Sequence, residues 1–348
     1  MEKKCYRRGL VVGKFSPLHS GHEFLISEAQ KQCEELIVIS YSRPEFAGCS
    51  RAIRSHWLND LAPDITTLVI DAATIEQWRI QSNWQLPMPN NSDQDDVQRE
   101  FTTQLLKLRL TTTIDAVFTS EDYGEGFAKY LTDKGLGINN SVTHICVDKN
   151  RVNHPVSGTI IRSNFSCGNQ YIREKVAKSC NVQSVCFLGG ESTGKTTLSH
   201  SLSGHWSEPI VTEYGRTLWE QNNGTLDQSD LLNIAEKQTF TEDILRDKAN
   251  RYLFCDTSPL TTLCYSQALF GSRPELLEAY SERPYNFVFL CAPDFPFTQD
   301  GTRKDQEFRL WQHEWYLHEL AQREIPFVLL EGSISSRIDK INQHILHG

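Results

Sequence analysis

Val185–Thr197 reads VCFLGGESTGKTT. An apolar run leads into a Gly-x-x-x-x-Gly-Lys-Thr string from Gly189 to Thr196, and a helical pattern follows. A buried strand, a glycine-rich turn and a helix start in that order form a cradle of backbone amides suited to a phosphate. The string alone also occurs in structural loops; the strand before it and the helix after it decide the reading. The spacing predicts that Glu191, Ser192, Thr193 and Gly194 present amides to a nucleotide β-phosphate, flanked by Gly190 and Thr197. Lys195 then bridges the β- and γ-phosphates of ATP, and the Thr196 hydroxyl reaches Mg²⁺.

Working outward, the second half carries strand-length apolar runs at Val185–Gly189, Pro209–Thr212, Tyr252–Cys255, Phe287–Cys291 and Pro326–Leu330. Near-continuous apolar strands separated by helical segments, such as Gly194–Leu202, Leu231–Arg246 and Glu307–Glu324, predict an α/β domain with a parallel sheet. Asp256 ends the run YLFCD, where a carboxylate would hold Mg²⁺ or take a proton from an attacking hydroxyl; followed by Thr257, Ser258 and Pro259, it equally suits a helix cap. Glu213 and Tyr214 follow a strand end, the side of such a sheet that faces ligand, as does Arg216. Glu213 suits ribose hydroxyls or a base, Tyr214 a stacked ring, and all three suit an exposed helix start. In Asp300–Arg309, Arg303 and Arg309 suit a lid over the phosphoryl group, or a solvated helix face.

The first half opens on the same plan with a different loop. After the strand Leu10–Gly13, GKFSPLHSGH (Gly13–His22) leads into the helical pattern His22–Cys33. Gly13 admits close backbone approach, Lys14 brings charge, Phe15–Pro17 shape the turn, and His19 and His22 lie one helical turn apart. Two imidazoles aimed at one α-phosphate can stabilise charge as pyrophosphate leaves. The string HPVSGTIIR (His154–Arg162) adds hydroxyls at Ser157 and Thr159 and a guanidinium at Arg162 that suits β- and γ-phosphates. A plain helix cap would look similar. Further strands are expected at Leu36–Ser40, Leu68–Ile70, Ala116–Thr119 and Thr143–Val147.

These patterns predict two parallel-sheet α/β domains, residues 1–168 and 183–348, joined by a linker at 169–182 that includes a short helix near Tyr171–Ser179. The polar stretch Ser82–Asp96, with two prolines and no periodicity, reads as a long mobile surface loop. Net charge is −9, against a dedicated nucleic-acid or anionic-membrane binder. No apolar run is long enough to span a bilayer. The 10 cysteines are scattered without a Cys-x-x-Cys pair, which fits a reduced, cytoplasmic setting and argues against a zinc ribbon.

GKFSPLHSGH with SGTIIR resembles the HxGH nucleotidyltransferases, a Rossmann-like superfamily. FTSEDYGEGFA (Phe118–Ala128) and Asp148-x-x-Arg151 narrow the resemblance to the nicotinamide mononucleotide (NMN) adenylyltransferase domain of the NadR family. GGESTGKTT, EYGR at Glu213–Arg216 and DTSPLTT at Asp256–Thr262 resemble the P-loop ribosylnicotinamide kinase domain of that family, in the same order. The resemblance implies a bifunctional salvage enzyme that makes NMN from nicotinamide riboside and NAD from NMN, using ATP and Mg²⁺. It implies ATP contacts from Lys14, His19, His22, Ser157, Thr159 and Arg162. Ser120 to Gly124 would lie near the nucleotide, with Tyr123, Trp78 or Trp84 as a platform for the pyridinium, though each tryptophan suits core packing as well. The partners implied are small molecules: ATP, NMN, nicotinamide riboside and NAD. Self-association is left open. The first strand begins by Gly9, leaving no room for the helix-turn-helix that many relatives carry at the N-terminus, so no DNA partner is expected. Asn164–Phe165 departs from the family's usual Asn-Pro.

Two other readings remain open on sequence. One is a different adenylyltransferase–kinase fusion, such as coenzyme A synthase or ATP sulfurylase joined to adenylylsulfate kinase. The other is a nucleotide-sensing regulator with one inactive domain. Intact His19, His22 and Lys195 argue against the latter.

Overall fold

The computed structural model describes residues 4–121, 123–163, 169–299 and 304–347. Asp122, Asn164, Phe165, the 166–168 part of the expected boundary, Asp300 and Arg303 lie outside the described residues.

The chain forms two all-parallel α/β units. In the first, β1 (Tyr6–Gly13), β2 (Cys33–Tyr41), β3 (Thr66–Ile70), β4 (Ala116–Thr119) and β5 (Thr143–Cys146) stand in the order β3-β2-β1-β4-β5. In the second, β6 (Gln183–Leu188), β7 (Ile210–Val211), β8 (Tyr252–Cys255), β9 (Phe287–Cys291) and β10 (Val328–Leu330) stand in the order β10-β9-β6-β8-β7. The sequence-predicted strands all form. Ile210–Val211 is shorter than expected.

Helices cover both faces of each sheet, so central strands such as β8 and β9 are buried along their whole length. Both sheets change winding direction at their first strand. A crevice opens there, at the strand C-termini, beside Gly13 and Thr119 in one unit and beside Leu188 and Cys255 in the other.

The division into compact units falls between Cys180 and Asn181. The helix expected within the linker spans Glu174–Asn181 and is not a free tether. Val176 is 3% exposed and joins the first unit's core, and Lys175 pairs with Asp60. An apolar residue on an amphipathic turn is driven onto the nearest core.

Ser82–Asp96 also departs from expectation. Trp84 and Met88 are buried in the core of the first unit, and the Asn91 backbone N–H donates to the Arg43 carbonyl at 2.7 Å. The Asn91 side chain bonds Ser42 and the Pro44 carbonyl as well. The three apolar anchors Trp84, Leu86 and Met88 hold a segment that has no periodicity. A helix, Asp95–Gln104, begins inside it.

Candidate active sites

At the first crevice, His19 is the extended residue capping the helix Ser20–Gln32, and its carbonyl accepts the His22 N–H at 2.8 Å. This single turn stacks the two imidazoles, centroids 3.6 Å apart and 23° from parallel. Phe15 takes a left-handed backbone (φ 50°), and its buried ring backs His22 at 4.8 Å. The Nδ1 atoms of both histidines and the Ser20 hydroxyl are buried without a partner. Three orphaned polar atoms at one helix start point to a ligand that completes them.

Burial lowers the His19 pKa to about 4, helped by the charges of Arg151, Arg162 and His154. Burial, His19 and Arg151 push His22 well below the ordinary imidazole range. Both rings are therefore neutral at pH 7, each a hydrogen-bond donor rather than a cation. Positive charge comes instead from Lys14, Arg151 and Arg162, which line the same cleft of about 480 Å³. Burial and Arg162 lower the Lys14 pKa, and its Nζ lies 3.4 Å from the Asn91 carbonyl.

Arg162 donates to the Ser16 carbonyl and to the Thr159 hydroxyl, and lies 3.9 Å over the Phe46 ring. Ser157 does act as a helix cap, accepting from the Ile160 N–H at 3.2 Å, yet it faces the cleft too. Gly13, Ser120 and Tyr123 complete the predicted set around the cleft.

Trp78 does not join them. It is 9% exposed and packs edge-on against Trp84, with centroids 5.6 Å apart, and Arg109 lies 3.9 Å over its ring. Both rings lie in the core of the first unit and neither lines this cleft. Residues that sequence reasoning missed here are Arg151 and the Asn91–Arg99 wall, which includes Asp93, Asp95 and Gln98. Arg151 was legible inside the family string; Asn91, Asp93 and Asp95 of the wall were hidden within the presumed loop.

At the second crevice, Gly189 (φ 139°) and Gly194 (φ 88°) take conformations that side chains avoid. A Cβ on Gly189 would meet the Cys291 carbonyl at 2.7 Å. Lys195 Nζ donates to the Gly189 and Gly190 carbonyls, each at 2.9 Å. The Thr196 hydroxyl donates to Asp256 Oδ2 at 2.8 Å, and Asp256 Oδ1 is buried with no partner. Ser258 caps the helix Pro259–Phe270, leaving Asp256 free of the capping role.

Glu191 to Thr197 line a cavity of about 620 Å³, with Glu213 and Arg216. Gly190 lies behind it against the Arg309 backbone. Burial raises the Glu213 pKa, with Lys195 opposing. Tyr214 is directed elsewhere and packs against the core, because it falls on the inner face of the helix Tyr214–Gln221. Arg309 is no mobile lid residue. It is 1% exposed and donates to the Ser192 and Pro293 carbonyls at 3.4 and 3.2 Å.

Missed by sequence were Arg337, Gln312 and Gln238. Arg337 is fully buried, donates to the Thr193 and Ala292 carbonyls at 2.9 and 3.1 Å, and pairs with Asp294. Gln312 accepts the Glu191 N–H at 2.9 Å. A polar residue repeating on an otherwise apolar helix face was the available signal for Gln238.

A family model described as an AAA domain matches residues 184–337. Over 308 residues the chain is 28% identical to the trifunctional NAD biosynthesis/regulator protein NadR of Escherichia coli (strain K12), covering 85% of this chain and 71% of that protein. The chain is homologous to NadR. The NadR of Salmonella typhimurium (strain LT2) matches with the same identity and coverage, 28% over 308 residues. A NadR crystal structure in complex with NAD and AMP-PNP is 18% identical, with 98% of this chain and 96% of that one covered and a TM-score of 0.48. Among the described residues no helix is long and apolar enough to cross a membrane.

Proposed function

We propose that the chain is a bifunctional transferase of NAD metabolism. Its second unit phosphorylates the 5′-hydroxyl of nicotinamide riboside, and its first unit transfers the adenylyl group of ATP to the resulting NMN. Homology to proteins described as NAD biosynthesis/regulator proteins supports a nucleotide-metabolising transferase. One observation carries the pairing of activities: each unit has its own crevice, one with orphaned histidines among cations, the other with a phosphate loop tied to a buried carboxylate.

In the first unit the NMN phosphate is already an anion, so attack on the α-phosphorus needs no general base. The neutral His19 and His22 donate hydrogen bonds to α-phosphate oxygens as charge develops, while Lys14 and Arg162 neutralise the departing pyrophosphate. Tyr123 and Ser120 border the space left for the nucleotide.

In the second unit Lys195 leaves its two carbonyls to bridge ATP phosphates. The orphaned Asp256 Oδ1 beside the Thr196 hydroxyl fits a divalent cation, and these two residues would hold Mg²⁺. When bound, the ion neutralises charge on the β- and γ-phosphates. Glu213, with its raised pKa, accepts the proton of the attacking 5′-hydroxyl.

The test is one incubation of the protein with nicotinamide riboside, ATP and Mg²⁺, followed by separation of products. NAD formed by way of NMN is expected. NMN alone would overturn the adenylyl-transfer assignment, and no NMN would overturn the kinase assignment; direct addition of NMN then tests the first unit by itself.

A further inference from the structure

Gln238 sits on the helix Gln228–Arg246, seven residues after Leu231 and four after Ile234, on the face that borders the second cavity. It is 2% exposed. Its Nε2 donates to Glu242 Oε1 at 2.9 Å and to the Thr257 carbonyl at 3.2 Å, so both amide hydrogens are used. Among the described residues its Oε1 receives no hydrogen bond and is not one of the sealed orphan atoms of the interior. The carbonyl therefore opens onto the cavity.

The orientation of this amide is dictated by chemistry. Glu242 is an acceptor, and so is the Thr257 carbonyl; rotating the amide would set oxygen against oxygen twice. Glu242 cannot turn away either. Its Oε1 also accepts the Tyr285 hydroxyl at 2.9 Å, and its Oε2 accepts from Arg283, which is itself paired with Asp243 at 2.6 Å. The result is a rigid, buried acceptor tied to the carbonyl of Thr257, the neighbour of the Asp256 that bonds Thr196 of the glycine-rich loop.

Resting on the kinase reading above, we infer that Gln238 is a specificity-determining residue whose Oε1 accepts a hydrogen bond from a secondary hydroxyl of the substrate ribose. The sugar, not the base, is the part of a nucleoside that must lie beside the phosphoryl-transfer end. A fixed buried acceptor discriminates strongly, because a substrate lacking the matching donor leaves it dry and unpaired. The relay Asp243–Arg283–Glu242 acts through Gln238 as a positioning device and touches no substrate.

The experiment compares nicotinamide riboside with its 2′-deoxy and 3′-deoxy analogues, in the wild-type protein and in Gln238→Met, a substitution of similar volume. Wild-type kcat/KM is expected to fall about tenfold or more for one analogue. Gln238→Met should lose a similar factor on the riboside, lose nothing further on that analogue, and keep the wild-type KM for ATP. A merely structural role would lower all three substrates together and overturn the inference. Equal wild-type use of the riboside and both analogues would overturn it without any variant. Absence of wild-type turnover on the riboside would remove the kinase reading and this inference with it; turnover without discrimination removes the inference alone.

Discussion

Replacing His19 with Gln should flatten the acid side of the stability profile of the first unit. His19 is 5% exposed, and its pKa is lowered from 6.5 to about 4 by burial and three cationic neighbours. The unfolded chain therefore takes up a proton before the folded one does. Stability contributed by the neutral ring is complete above about pH 6.5 and is lost as pH falls through that value toward about 4. A separation of about 2.5 pH units corresponds to roughly 3 kcal/mol once the loss is complete. Urea unfolding at pH 7.5 and pH 4, followed through the tryptophans, gives the change for wild-type and His19→Gln. The wild-type loss should exceed that of the variant by about 3 kcal/mol, a difference in which titrating groups remote from His19 cancel and the stacked His22 does not. NMR titration of the ring protons should show no His19 protonation near pH 6.5. A His19 midpoint of 6 to 7, or parallel pH profiles, would refute the reasoning that burial keeps this ring neutral.

Lys195→Ala should abolish NMN formation by about a hundredfold or more while adenylyl transfer to added NMN continues; product analysis of both reactions checks this, and loss of both would sink the two-site scheme. Trp78→Ala should cost about 3–5 kcal/mol by opening a cavity beneath Trp84, with the KM for NMN unchanged in the folded fraction; a selective rise in that KM would restore Trp78 as a substrate contact. Arg337→Met removes the donor to the Thr193 and Ala292 carbonyls and the cation paired with Asp294, which keeps only the Gly332 N–H among the described residues. It should destabilise the second unit by about 3 kcal/mol and weaken ATP binding, as read by thermal melts with and without nucleotide.

The strands and the two strand–loop–helix turns that border the crevices were legible because they rest on short-range rules. A buried parallel strand must be apolar along its length; VCFLGGESTGKTT adds glycines where φ is positive, and GKFSPLHSGH adds two histidines one turn apart at a helix start, so each announces itself within a dozen residues. His19 and His22 were readable together because one helical turn sets their spacing. Trp78 and Tyr214 were misassigned because local sequence does not state which side of a helix meets the core. Arg309 fits neither alternative the sequence offered, a lid or a solvated face, because two backbone carbonyls hold it inside.

The sequence by itself thus determined the two α/β units and the glycine- and histidine-bearing loops that follow their first strands. Only the tertiary structure decided the rest. It made the histidines neutral by burying them, with arginines from distant segments adding to the shift, and it turned the Ser82–Asp96 stretch into a wall anchored by Trp84 and Met88. It aimed one carbonyl of Gln238 into the cavity through a chain of buried charges. Desolvation and hydrogen-bond direction depend on what packs around a group, and those neighbours are supplied by residues far away in the chain.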